Sequence, residues 1–329
     1  MRDDGRGRSP ARRMGVDGMK LHGMSRATLN EALTGYLFIL PWLLGFVVFV
    51  FGPLLAGLYY SFTDYAIGSP PVWIGIENYL TVTRDALVGK SLFNTFYYAA
   101  IAVPIGIMAS LAVAMLLNSG IRGLSVYRTA CYIPSIVPTI ASVALMMWIL
   151  HGRFGLINQL LEMVGIIGPG WLTDPKWTKV SLIIWALWTS GGTTMVILLA
   201  GLQGIPAGLY EVAEIDGANP WNKFRFVTVP MLSPTIFFCL VMAVIGSFQI
   251  FAPALILGSL SADTYWVPSG GPLDSLLFMV LYVYQNGFYF FKMGYASALA
   301  WVLFVIVMIL TLMQFLLARR WVYYEYEAL

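Results

Sequence analysis

The chain has 329 residues, 59% apolar and only 11% charged, with a mean hydropathy of +0.77 and a formal net charge of +3. An average soluble domain carries roughly 25% charge, so a soluble enzyme, a disordered scaffold and a nucleic-acid-binding protein are all disfavoured. Fifteen per cent aromatics and 32 glycines suit a helical membrane protein, and the expected class is all-α and integral to the membrane.

In chain order, residues 1–32 are Arg- and Gly-rich without an apolar run and are expected to form a disordered basic tail. The apolar stretch that follows is far longer than the 7–15 residue core of a signal peptide, and no small-residue cleavage site follows it, so no cleavage is expected. Asp, Glu, Lys and Arg are absent from 32–63, 91–121, 129–152, 180–210, 226–262, 275–291 and 293–318. A helix needs about 20 apolar residues to cross the hydrocarbon. Six of these intervals suffice, and they predict spans near 34–60, 94–117, 128–150, 179–202, 234–258 and 293–317. Prolines and glycines inside them (Pro41, Pro104, Pro138, Gly191, Gly192, Pro253) call for a packed bundle whose neighbours satisfy the freed backbone groups. The short interval 275–291 holds Tyr282, Tyr284, Phe288 and Tyr289, ring types that favour the headgroup level, and reads as an interfacial helix.

Six spans with the N-terminus inside place 13 of the 19 Lys and Arg residues on the cytoplasmic side and leave Arg84, Lys90, Arg153, Lys176, Lys179 and Lys292 outside. That bias follows the positive-inside rule, whereas a seventh span would export Arg319 and Arg320. Residues 33–320 are therefore the membrane domain and 321–329 a cytoplasmic tail.

Signs of chemistry are sparse. His22 and His151 are the only histidines, and no Cys/His/Asp cluster has metal-ligand spacing. Cys131 and Cys239 lie in apolar stretches and read as buried thiols. Gly89-Lys90-Ser91 lacks the first glycine of a phosphate loop, since Arg84 stands there. Neither a triad nor paired carboxylates suggest catalysis, and no metal or cofactor is expected on this chain. The predicted spans hold no acidic, basic or histidine side chain at midplane depth, which weakens a self-powered ion-coupled carrier. Energy for uphill transport would then come from another chain.

Segment 205–230 carries the specific signal. Pro206 suits a helix start, Gly217 a left-handed helix end, and Asn219-Pro220 an N-cap and first residue of a second helix, with Pro230 expected to stop it before the fifth span. Glu211-Val212-Ala213, three residues, Gly217, nine residues and Val227-Thr228-Val229-Pro230 resemble the EAA loop of ABC importer permeases, with mild apolar replacements at Val212, Val227 and Val229. Gly75-Ile76-Glu77-Asn78-Tyr79, Asn94-Thr95, Gly155-Leu156-Ile157-Asn158, Gly270-Gly271-Pro272 and Gly294-Tyr295-Ala296 extend the resemblance toward the carbohydrate-uptake branch, of maltose, glycerol-3-phosphate or trehalose type.

The resemblance implies the type I importer permease fold, with an EAA helix-turn-helix at about 203–232 that docks on a cytoplasmic ATP-binding subunit through Glu211, Ala213, Asp216, Gly217 and Pro230. It further implies a second related permease, two ATP-binding subunits that hold the ATP and magnesium, an extracytoplasmic solute-binding protein, and a prokaryotic inner-membrane location with both termini cytoplasmic. Membrane lipid is the other partner, and nucleic acid is not. The expected function is ATP-driven uptake of a sugar or oligosaccharide. Glycerol-3-phosphate or another polyol is the alternative cargo, and a stand-alone secondary carrier the alternative class. A sugar needs aromatic faces and neutral hydrogen-bonding groups, which makes Trp188, Ser190 and Thr193 of the fourth span, with Ser247 and Gln249 of the fifth, the substrate-path candidates. Intrahelical bonding of their hydroxyls is the bland reading.

Overall fold

A computed structural model describes residues 26–119, 123–259 and 270–323. Most of the expected basic tail, 1–25, and the C-terminal residues 324–329 lie outside the described residues, as do Gly120 to Arg122. The expected tail ends earlier than 32, because helix begins at Arg26.

Among the described residues, five helices are long and apolar enough to cross a membrane, or six if one bent pair is counted as a span. The chain divides into two compact units, up to Ala56 and from Gly57 onward. The first unit is built on α1, which starts at Arg26, carries the apolar stretch Leu33–Ser61 and contains a π turn at Val47–Phe51. Phe38 is 82% and Phe49 79% exposed. Water would not tolerate a helix so apolar all round, whereas lipid solvates it.

The second unit opens with a two-stranded antiparallel hairpin, β1 (Thr63–Asp64) on β2 (Val72–Trp73). The short helix α2, Glu77–Arg84, then leads into the long helix α3, Ala86–Asn118. Next come α4 (Leu124–Ile136) and α5 (Thr139–Ile149), the small helix α6 (Leu156–Met163) and the long helix α7 (Pro175–Gln203). Helix α8 (Ala207–Ile215) precedes α9 (Pro220–Phe248), and α10 (Ala252–Ser259) follows. Beyond residue 269, α11 (Met279–Tyr284) and α12 (Met293–Ala318) complete the unit. Helix α7 packs chiefly on α3 and also on α4, and α9 lies against α3.

Three expectations about spans are corrected. The third span, expected at 128–150, is two helices bent by 101°. Pro138 drives Val137 out of the α region (φ −64°, ψ 130°), as the residue before proline tends to be driven. The fifth span, expected at 234–258, is one helix from Pro220 to Phe248, then a break at 249–251. Pro230 does not stop it, because a π turn at Phe224–Thr228 precedes the proline and re-registers the hydrogen-bond ladder.

The third correction concerns 275–291, expected as one interfacial helix: helix covers only Met279 to Tyr289, and the residues before it form an irregular buried segment. Leu276, Leu277, Phe278, Met279 and Leu281 are each at most 2% exposed and sit at the centre of the main core, beside Val143, Leu182 and Leu299. An irregular backbone at that depth needs partners, and the start of α3 supplies them. Asn94 Nδ2 donates to the carbonyls of Asp274 and Leu277, each at 2.9 Å, and the Met279 N–H donates to Thr95 Oγ1 at 3.2 Å. Thr178 and Ser275 join their hydroxyls at 2.8 Å. Asn94-Thr95 thus has a structural task.

Other recurrent pairs behave similarly. Asn78 Nδ2 bonds the carbonyls of Ser61 and Thr63, and Asn158 joins Gly152, Pro169 and the Trp171 indole. Gly294 passes so close to β1 that a Cβ would strike the Thr63 carbonyl oxygen, which explains a residue without a side chain there. Gly294→Val should therefore lower the yield of folded protein severely, while the same change at open Gly89 should not. Fluorescence size-exclusion of the two variants checks this.

Candidate functional site: a membrane cavity and a surface helix-turn-helix

A cavity of about 700 Å³ opens between α3, α5, α7 and α9, close to the break at 249–251. Its volume falls in the range of small-molecule sites. Ser190, Thr193, Ser247 and Gln249 line it; Trp188 does not, and Trp185 does. The Trp185 indole donates to Ser142 Oγ at 3.1 Å, fixing its ring. Ser190 and Ser247 donate back to the carbonyls of Ala186 and Val244 within their own helices. Each oxygen retains acceptor capacity toward the cavity. Among the described residues, Thr193 and Gln249 make no side-chain hydrogen bond, and both are exposed.

Among the described residues, the lining contains no Asp, Glu, Lys, Arg or His. It offers neutral donors and acceptors with the rings of Tyr98, Trp185, Phe238 and Phe251. Sequence reading missed Tyr98 and Phe238 as lining residues. Trp188 lies one turn on from Trp185, about 60° round the helix from it, and that offset leaves it outside the lining; composition does not tell the two apart.

Helix α8 and the first turn of α9 form a helix-turn-helix beyond the spans. Its joint is a Schellman closure: the Gly217 N–H donates to the Glu214 carbonyl at 3.0 Å and the Ala218 N–H to Ala213 at 2.9 Å. Gly217 has φ +75°, a region where a Cβ is strained. Asn219 Oδ1 then caps the next helix by accepting from the Asn222 N–H at 2.8 Å, with Pro220 first in it. Helix α8 buries none of its residues. Ile215 is 85% exposed and Val212 58%, beside exposed Glu211 and Asp216. Glu214 pairs with Lys223, and the Tyr210 and Thr228 hydroxyls meet at 3.0 Å, locking α8 to the π turn. Ala213 is half-buried at the joint, and Pro230 lies within α9 beyond it.

A third polar centre sits where α2 meets α3. Asp85 caps α3 by accepting from the Leu87 N–H at 2.9 Å, and its other oxygen accepts the Tyr282 and Tyr295 hydroxyls. Burial pushes its carboxyl up, but the two phenols and the backbone N–H groups of Leu87 and Val88 outweigh that and hold it below the ordinary carboxylate range. The charged form is thus favoured in the folded chain. It contributes stability at neutral pH, and that contribution vanishes as pH falls through the depressed value. Thermal melts of the wild type should lose stability below about pH 4, and Asp85→Asn should melt lower at pH 7 and show a smaller acid decline.

The family question is decided by a match over residues 38–323 to the model of the binding-protein-dependent transport system inner membrane component. The chain belongs to that family. This permease is 40% identical to a probable ABC transporter permease protein, YesP, of Bacillus subtilis, over 94% of its length and 97% of the relative's. It is 33% identical to the lactose transport system permease protein LacF of Rhizobium radiobacter, over 90% and 98%. Its fold is similar to that of a bacterial ABC transporter involved in import of the acidic polysaccharide alginate. The TM-score is 0.77 at 22% identity, with 89% of the permease and 98% of that chain covered. The permease is accordingly a multi-pass membrane subunit of an ABC importer, of the fold read from its sequence.

Proposed function

We propose that this permease carries a neutral sugar or oligosaccharide, received from an extracytoplasmic solute-binding protein, with a second related permease and two ATP-binding subunits completing the importer. The observation that carries the cargo is the 700 Å³ membrane cavity, with hydroxyl, amide and aromatic walls and, among the described residues, no formally charged side chain. Moving an unneutralised phosphate into such a cavity costs far more than its hydroxyl contacts return, which argues against glycerol-3-phosphate. Ser190, Thr193, Ser247 and Gln249 would contact the sugar, and Trp185 replaces Trp188 as the ring of choice. Transport of sugars by relatives, lactose among them, supports the same reading.

The helix-turn-helix is the ATPase contact. Exposed Val212 and Ile215 supply an apolar face, Glu211 and Asp216 acceptors for basic groups on the partner, and Ala213 a close approach. ATP and its magnesium belong to the ATP-binding chains, where hydrolysis takes place; this chain has a transport role alone. The positive-inside bias puts this element and both termini in the cytoplasm of a prokaryotic cell.

Reconstitution tests the assignment. Vesicles holding the permease, its partner permease and the ATPase should accumulate sugar only with ATP inside and binding protein outside. Accumulation by the permease alone, driven by an ion gradient, would overturn it.

A further inference from the structure

A second cavity, of about 420 Å³, lies apart from the membrane cavity, between the β hairpin, α2, α11 and the start of α12. Its walls are braced without help from a ligand. The Gly294 N–H donates to the Tyr65 carbonyl at 3.0 Å, and the Lys292 N–H to the Asn286 carbonyl at 2.8 Å. Ala66 and Lys292 form an isolated antiparallel bridge, and the Tyr65 ring stacks on Tyr60 at 4.6 Å between centroids. Such preorganisation removes much of the ordering cost of binding.

The charges lining this cavity balance, with Asp64 and Asp85 against Arg84 and Lys292. Asp85 is occupied by two tyrosine hydroxyls. Asp64, Arg84 and Lys292 form no ion pair among the described residues. An anion entering here meets two carboxylates and a cation meets two basic groups. A neutral molecule rich in hydroxyls uses both kinds of charged head, each making a stronger hydrogen bond than a neutral partner would.

We propose that this cavity is a second carbohydrate subsite, outside the membrane, taking one neutral sugar unit. Asp64, Arg84 and Lys292 bond its hydroxyls, and Tyr65 and Tyr295 face its C–H surfaces. The volume lies within the range of small-molecule sites. The placement outside rests on the orientation given under the proposed function; the binding chemistry does not. An oligosaccharide would pause here before reaching the membrane cavity, which gives the permease a selectivity step of its own.

Saturation-transfer NMR on the full chain, assembled with its importer subunits in phosphatidylcholine nanodiscs, tests this. The probes are the methyl glycosides of glucose, galactose and mannose, with glucuronate and glucosamine as charged comparisons. At least one neutral glycoside should give a signal stronger than both charged sugars. Arg84→Gln should weaken its binding about tenfold, the scale of one lost charge-assisted hydrogen bond, and Lys176→Gln, at an exposed position that lines neither cavity, should leave it intact. Arg84 and Lys292 are exposed, so their replacement should not disturb folding, and Lys292→Gln serves as a second variant with the same expected loss. No signal from any neutral glycoside, equal or stronger binding of a charged sugar, or a signal lost in Gln249→Ala but kept in Arg84→Gln and Lys292→Gln would overturn the subsite. ATP-driven uptake by the same assemblies separates the two readings, because it persists if only the subsite is wrong.

Discussion

Replacing Gly217 with valine should leave the permease in the membrane and reduce ATP-driven uptake by at least tenfold. Gly217 holds φ +75°, and nothing lies within 4 Å of where its Cβ would be, so the penalty comes from the backbone alone. A β-branched residue in that region costs about 1–2 kcal/mol, enough to open the Schellman closure and turn α8 away from its set direction. The spans draw their stability from lipid and from the core centred on 276–282, neither of which this residue touches. Co-purification of the ATPase should fall in parallel with uptake, while the detergent-extracted permease keeps its elution profile. Wild-type uptake and full ATPase retention in Gly217→Val would remove the helix-turn-helix from the coupling path.

Asn94→Leu should be the most destabilising single change at a polar position. Asn94 is 2% exposed, and its amide group is the donor to two carbonyls of the buried segment. Leucine has a similar volume but no donor, so both carbonyls lose that bond, and an unsatisfied buried group costs about 1–3 kcal/mol. Thermal unfolding in detergent should shift down by about 5 °C or more. Lys90→Met provides the contrast. The Lys90–Asp274 pair touches the same segment at 3.2 Å, but both side chains are more than 40% exposed, and such pairs contribute about 0–1 kcal/mol. Equal melting shifts in the two variants would show that the ion pair, and not the amide, holds the segment.

The helix-turn-helix was legible because each of its signals is local: proline at a start, glycine at a left-handed end, asparagine at a cap. The apolar spans were legible because charge is excluded from lipid whatever the packing. The segment 275–291 was not legible. Its tyrosines and phenylalanines suit a headgroup layer and a protein core equally well, and the partner that satisfies its backbone, Asn94, is 180 residues away in the chain. The break at 249–251 was hidden for the same reason, since no charged residue marks it in a stretch that stays free of charge up to residue 262. The bend at Pro138 had its residue in view, but a proline inside a span is compatible with a kink or a full turn, and neighbouring helices decide which.

The helix from Pro220 to Phe248 has a mechanical consequence. Its 29 residues make one helix about 43 Å long, running from the helix-turn-helix joint to the break beside Gln249. The π turn carries the helix through Pro230, and the helix runs on through Pro234. A tilt of about 5° at the Trp221 end, by that same length, displaces the far end by nearly 4 Å. That is wider than one hydrogen bond. Under the proposed function, a hydrogen bond from Gln249 to a sugar hydroxyl is made or released by small strokes of an ATPase docked at the other end.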